Sequence, residues 1–261
     1  IASKIIGCKV YIRLNSHPNY YIDSNFKKIF FRFFYRQANE IIVNSIEVKN
    51  FLKNKFNLKS TVIYNELDKN DIINKSKKKV KIKFSNGYPI LISVGRLDKN
   101  KNHIFLIEAF NNLKNKIKYN LIILGSGNEN QYLLNKICEY KLNNYIKIIN
   151  FKNNPYPYMR KSKFFILPSK IEGYPNVLIE AGALGKLIMS NNISGAREII
   201  EYDKRGYLFS IKGYSKFYKV LKKIKNKEIN NTKINNLKMY IKNRHLLDHS
   251  KNYINLIFTK W

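Results

Sequence analysis

The chain has 261 residues, 44% of them hydrophobic, and sets 49 Lys and Arg against 17 Asp and Glu, a net charge of +32. That apolar share supports one large or two small buried cores and excludes an intrinsically disordered chain, while no apolar run approaches the ~20 residues of a bilayer span. Cys8 and Cys138 show neither a metal-site nor a disulfide-framework spacing and are expected to be buried, reduced thiols of a cytoplasmic protein.

In chain order, residues 8–14 (CKVYIRL) alternate in character and predict a strand, closed by the proline-bearing loop 15–20. FKKIFFRFFYRQAN (26–39) predicts a helix that mixes aromatic and basic residues, and EIIVNS (40–45) a short strand. IEVKNFLKNKF (46–56) predicts a second helix and TVIYNEL (61–67) another strand. Residues 68–88 turn polar, basic and turn-prone, and are read as a hinge. Beyond it, PILISVGRL (89–97) is a strand, 103–113 a helix, YNLIILGSG (119–127) a strand and turn, 129–142 a helix, and YIKIINF (145–151) a strand. A short helix over 156–162 precedes the apolar strand FFILPS (164–169). A loop follows to Tyr174, and a helix opens at Pro175 or Asn176 and runs through Ala183, proline being tolerated in a first helical turn. Residues 186–191 form a strand, 195–202 a helix, and 215–261 are helical and basic. Strands alternating with helices predict an α/β fold with parallel sheets.

Chemistry-bearing residues gather at strand ends of this second half. Gly95, Arg96 and Lys101 follow the strand 89–97, where open α/β sheets bind ligands. A guanidinium and an ammonium five residues apart around a turn suit two phosphates. Glu172 lies on the loop after FFILPS and Glu180 inside the following helix, so both acids address one cleft. The first N–H groups of that helix, residues 176–178, suit a diphosphate. Gly125, in GSG, makes a tight strand-to-helix turn too short for a dinucleotide fingerprint.

EGYPNVLIE (172–180) resembles the E-x7-E signature of retaining, nucleotide-sugar-dependent glycosyltransferases of GT-B fold, family 4. SVGRLDKNKNHIFLIEAF (93–110), LIILGSGNENQYL (121–133), INFKNNPYPYM (149–159) and SGAREIIEYDKRGYLF (194–209) follow that family's block order, so the likeness runs from about Lys9 to Phe209. It implies two Rossmann-like domains, the first incomplete as given: 1–67 the remainder of the acceptor-side domain, 68–88 the hinge, 89–240 the nucleotide-sugar domain, and 241–261 a helix crossing back. It also implies that Arg96 and Lys101 offset charge on a departing nucleoside diphosphate. Glu180 would accept from the ribose hydroxyls, and Glu172 would orient the donor sugar. Gly95, Gly125, Phe151, Gly173, Pro175, Asn176 and Val177 would line the donor site, with Phe151 to Asn154 beside the base. Where the family usually has Gly after this Lys, the chain has Asn102. His17 falls where relatives carry contacts from the first domain, and Arg197 and Glu198 would brace their helix.

The expected activity is sugar transfer from a nucleotide donor, UDP-linked by preference, to a glycan or lipid-linked acceptor in surface polysaccharide synthesis. The resemblance implies no cofactor and no catalytic metal. The protein is expected in the cytoplasm, peripheral on the inner face of the membrane, with no specific nucleic acid as partner. Two readings of 26–39 stand: an element that meets anionic lipid, or an aromatic stripe facing the core beneath a solvated basic face. The +32 charge would draw polyanions, and compositional drift is an alternative source of it. A sugar-nucleotide epimerase of the same fold, a basic nucleic-acid binder and an inactive relative are the alternatives.

Overall fold

The structure, a computed structural model, describes residues 8–113 and 116–245. Its strands form two parallel sheets. The smaller sheet orders β1 (Tyr11–Leu14), β2 (Glu40–Val43) and β3 (Thr61–Val62). Parallel neighbours need crossovers, supplied by helices α1 (Asn25–Tyr35) and α2 (Ile46–Phe56). Ser24 and Ser45 cap these helices, each accepting a bond from the N–H three residues on, which satisfies a donor the helix cannot. Val48, Leu52 and Phe56 of α2 pack with Phe31 of α1 and Ile41 and Val43 of β2. β3 is shorter than the expected 61–67. Its ladder ends where β2 ends, with Val62 paired to Val43 and Ile63 N–H donating to the Val43 carbonyl at 2.8 Å.

The larger sheet is built from β4 (Ile90–Val94), β5 (Asn120–Leu124), β6 (Ile146–Ile149), β7 (Phe164–Leu167), β8 (Leu187–Asn191) and β9 (Tyr207–Phe209), in the order β6-β5-β4-β7-β8-β9. Successive residues serve opposite faces: Leu121 and Ile123 enter one apolar cluster, Ile122 and Leu124 the other. Covering on both sides is why these strands read as unbroken apolar runs. Helices α3 (Lys69–Ser76), α6 (Tyr156–Lys161), α7 (Asn176–Ala183), α8 (Ser194–Ile200) and α10 (Lys227–Arg244) contribute to one cluster, and α4 (His103–Asn112), α5 (Asn130–Glu139) and α9 (Tyr214–Lys223) to the other.

Three expectations change. Residues 68–88 are not all turn: they hold α3, capped by Asp68, whose carboxylate accepts from Asp71 N–H at 2.8 Å. Only Ile72 of its apolar side chains is fully buried, so composition alone concealed it. Cys8 and Cys138 are exposed rather than buried. Cys138 sits one residue past Ile137, and ~100° per residue carries it off the buried stripe of Leu133 and Ile137; Cys8 precedes β1. β9 was not foreseen; at three residues it is too short to show a pattern.

The end of α10 meets the segment after β3. Leu67 N–H donates to the His245 carbonyl at 2.7 Å, and Arg244 to the Tyr64 hydroxyl at 3.0 Å. The rest of the helix expected over 241–261 lies outside the described residues. Among the described residues no helix is long and apolar enough to cross a membrane.

Candidate functional site

The chain leaves β4 toward β5 and β6, then crosses back to lay β7 on the other side of β4. Loops that follow neighbouring strands at such a reversal diverge and open a crevice. Here they are the loop 95–102 after β4 and the loop 168–175 after β7.

Backbone contacts fix the first loop. Gly95 N–H donates to the Leu124 carbonyl at 3.0 Å and Leu97 N–H to the Ser126 carbonyl at 2.9 Å. A Cβ at Gly125 would lie 1.8 Å from the Gly95 carbonyl oxygen, so only glycine lets the β4 and β5 turns close on one another. The Asp98 carboxylate accepts from Asn100 N–H (3.0 Å) and Lys101 N–H (2.8 Å), folding the turn that aims Lys101 back. Asn102 has φ 55°, a left-handed conformation. That position favours Gly and tolerates Asn best among other residues, which accounts for the departure from the family's Gly.

The second loop is tied to the first. The Asn102 amide donates to the Pro168 carbonyl (3.3 Å), the Asn100 amide to the Ile171 carbonyl (3.0 Å), and Lys170 N–H to the Asn100 carbonyl (2.8 Å). The result is a contact between Lys101 Nζ and Glu172 Oε1 at 2.5 Å, with side chains only 18% and 15% exposed. Gly95 lies against the Lys101 stem, where an added Cβ would sit 3.4 Å away. Arg96 does not join them: its guanidinium is 71% exposed and pairs with Asp98 at 3.2 Å.

The helix that follows faces the smaller sheet. A Cβ at Gly173 would fall 2.9 Å from His17 N and 3.1 Å from the Ser16 carbonyl carbon, so this glycine lets the loop after β1 seat against the loop after β7. His17 is buried; its Nδ1 accepts from Asn19 N–H at 3.2 Å and its ring lies 4.7 Å from that of Phe51. Burial lowers its pKa first, Lys55 and Arg197 adding to the effect while Glu47 opposes it. Pro175 precedes α7 in extended backbone without capping it through a side chain. Asn176 at the helix start accepts from Asn65 (2.9 Å), which accepts from Arg13 (2.8 Å). Val177 is half-buried.

Glu180 is mostly covered, and no hydrogen-bond donor among the described residues reaches it. Burial pushes its carboxyl above the usual range. Tyr156 stands close enough to feel it: burial first, then the charges of Glu180 and Asp71, push that phenol up to about 12. Phe151, just past β6, is 62% exposed, and Asn154 donates to the Lys75 carbonyl at 2.9 Å. Thus Gly95, Lys101, Gly125, Glu172, Gly173 and the His17 backbone form one continuous set of contacts, with Pro175 to Glu180 continuing from it along α7. Arg96 and Phe151 face solvent.

Sequence reasoning has Arg197 and Glu198 brace their own helix and misses that they join the two sheets. Glu198 accepts from Ile46 N–H (2.9 Å) and Glu47 N–H (3.4 Å), the first donors of α2, and from the Tyr64 hydroxyl. Arg197 pairs with Glu47. The Tyr174 hydroxyl lies 2.8 Å from both the Tyr240 hydroxyl and His245 Nε2. No signal in a single sequence pairs residues so far apart. The buried Ser169 and Ser194 hydroxyls have no partner among the described residues. Nor do the described residues contain a group of three or more His, Cys, Asp or Glu able to hold a metal ion.

Comparison with known proteins adds to this geometry. The family described as glycosyl transferases group 1 matches residues 74–244. The N-acetylgalactosamine-N,N'-diacetylbacillosaminyl-diphospho-undecaprenol 4-alpha-N-acetylgalactosaminyltransferase of Campylobacter jejuni is 35% identical over 210 residues, 77% of this chain and 56% of that protein. The capsular polysaccharide biosynthesis glycosyltransferase CapH of Staphylococcus aureus is 34% identical over 169 residues, 63% of this chain and 45% of its own length. The chain therefore spans about half the length of the curated relatives it matches. The crystal structure of Anabaena HepE in complex with UDP superposes with a TM-score of 0.86 at 20% identity, over 100% of this chain and 74% of that one. The fold, α/β with parallel sheets, is that of the GT-B enzymes.

Proposed function

The chain belongs to the group 1 glycosyl transferases, and from that premise we propose that the whole protein is a retaining, family-4 hexosyltransferase acting on a UDP-sugar. Its acceptor is a glycan or lipid-linked sugar in surface polysaccharide synthesis, reached from the cytoplasmic side of the membrane. The UDP of the HepE complex and the diphospho-undecaprenol in the name of the Campylobacter relative support this choice of donor and acceptor. The observation that carries the reading is the Lys101–Glu172 contact between the loops of β4 and β7.

In this reading the donor diphosphate lies along those loops toward the start of α7. Lys101, already held by Glu172, supplies a fixed positive charge, and Arg96 swings from Asp98 onto the other phosphate. Such preorganised donors stabilise charge as it develops on a leaving group, and the reading assigns them that task with neither cofactor nor catalytic metal. Glu172 turns its free oxygen to the sugar hydroxyls. Glu180, with no donor of its own, takes the ribose hydroxyls. The bond from the anomeric carbon to the diphosphate oxygen breaks as the acceptor oxygen bonds to the same face, and the acceptor proton passes to the departing phosphate. His17 lines the acceptor side.

The test is turnover of Arg96→Ala and Glu172→Gln in the whole enzyme, with donor affinity measured in parallel by calorimetry. Losing one charge-assisted contact costs roughly 2–4 kcal/mol, or about thirty- to a thousand-fold in rate. Near-normal turnover in both variants would remove the site from this position.

A further inference from the structure

Helix α1 has an apolar side that the other described residues leave uncovered. Its buried side is narrow: Phe31 is 7% exposed, stacked on Tyr35 with ring centroids 3.7 Å apart and tilted on Phe56 at 4.9 Å. Away from it, Phe26, Ile29, Phe30, Phe33 and Phe34 are 68%, 68%, 47%, 52% and 46% exposed. Spacings of three and four place all five on one helical face. Their rings form a continuous ladder, Phe26 to Phe30 at 4.5 Å and Phe30 to Phe34 at 5.9 Å. Single exposed hydrophobic residues are ordinary; five contiguous ones mark a surface that meets something apolar.

Charge selects the occupant. NFKKIFFRFFY contains Lys27, Lys28 and Arg32 and no acid, and Arg36 follows at once. At ~100° per residue, Lys27 borders one side of the apolar face and Arg32 and Arg36 the other. Asp23, the nearest acid before the helix, is taken up by Lys27 at 2.8 Å. A second copy of this chain would oppose +32 with +32. An apolar face rimmed by cations fits an anionic bilayer, whose interface offers hydrocarbon behind phosphate.

We propose that α1 docks the protein on an anionic membrane, its five exposed apolar side chains entering the headgroup–acyl boundary while Lys27, Arg32 and Arg36 at its rim meet lipid phosphates. The inference rests on the membrane-carried acceptor of the proposed function for its purpose, but its physical basis is independent of nucleotide binding.

Sedimentation of the chain with vesicles of phosphatidylglycerol and phosphatidylcholine, compared with phosphatidylcholine alone, tests it. The double variant Phe30→Ser, Phe33→Ser alters only exposed side chains, and circular dichroism verifies that it folds. The expected result is preference of the parent chain for the anionic vesicles and a loss of about tenfold or more in partition for the variant. Unchanged partition of the variant would overturn the proposal, leaving bulk charge in control. So would a dimer in sedimentation equilibrium that the same substitutions dissociate. A chain that partitions as expected yet binds no UDP would support docking while overturning the nucleotide-sugar reading, so the two fail separately.

Discussion

At the scale of single residues, Glu180 shows how a site can burden its own fold. It stands one residue past Ile179 on a helix whose Leu178, Ile179 and Ala181 are buried, and no donor among the described residues compensates it. A carboxylate in that position costs stability when ionised. Because burial raises its folded pKa above the unfolded value, its favourable contribution is complete below the unfolded pKa and disappears as pH rises through the folded one. Glu180→Gln is therefore expected to melt higher than the parent at pH 7, with the advantage shrinking as pH falls to the ordinary carboxylate pKa of about 4.3. The same variant should bind UDP more weakly in calorimetry. A gain in stability paired with a loss of binding is the trade-off expected of a functional group; a variant less stable than the parent at pH 7 would mean the carboxylate has a partner in the fold. The placement of Glu180 on a helix was legible from the sequence, since apolar neighbours and spacing specify it. Its lack of a partner was not, because that depends on what α6 brings near. The same limit applies to Lys101: its turn was legible, but its contact with Glu172 arises from two loops separated by about 70 residues of chain.

At the scale of elements, sheet order explains why those loops meet. β4 and β7 are neighbours although two strands intervene in sequence, so the loops after them share one end of the sheet. The apolar runs and the turns between them were legible because strands buried on both faces leave an unmistakable composition. What composition could not disclose was α3, which buries little, or the early end of β3, which is decided by the length of its partner. Glycine positions mark where elements close on each other. Gly125→Ala is expected to destabilise the protein by about 1–3 kcal/mol in urea denaturation, as overpacking against a rigid neighbour does, because the carbonyl it would strike belongs to the backbone at Gly95. Gly87→Ala, at φ +65° with nothing within 4 Å, tests the alternative cause: it carries the strain of a left-handed residue without any clash. A larger penalty at Gly87 would show that backbone conformation, rather than close approach, governs these turns.

At the scale of the whole molecule, the two sheets are held by contacts of a different kind from the charges on the surface. Glu198 caps α2 from across the gap, Tyr64 and Arg244 link to it in turn, and Arg13, Asn65 and Asn176 form a second tie. The Tyr64–Glu198 bond is part-buried; those of Ile46, Arg244, Arg13 and Asn65 are exposed, but each joins at most one charged group to a neutral one, so salt, which screens charge against charge, weakens them little. The full chain carries 49 Lys and Arg against 17 Asp and Glu, and pairs such as Lys27–Asp23 and Lys204–Glu201 are largely exposed and contribute little. The net effect of the surface is therefore self-repulsion, which is stronger in the compact state than in the unfolded chain. The screening length falls from ~30 Å at about 0.01 M salt to ~8 Å at about 0.15 M, so added sodium chloride should relieve that repulsion while sparing the ties between sheets. The melting temperature is expected to rise by several degrees across that range in differential scanning calorimetry, with one transition retained. A fall on adding salt would mean that attraction among paired surface charges outweighs repulsion among the many unpaired ones, and two separating transitions would mean that the ties between the sheets are themselves salt-labile.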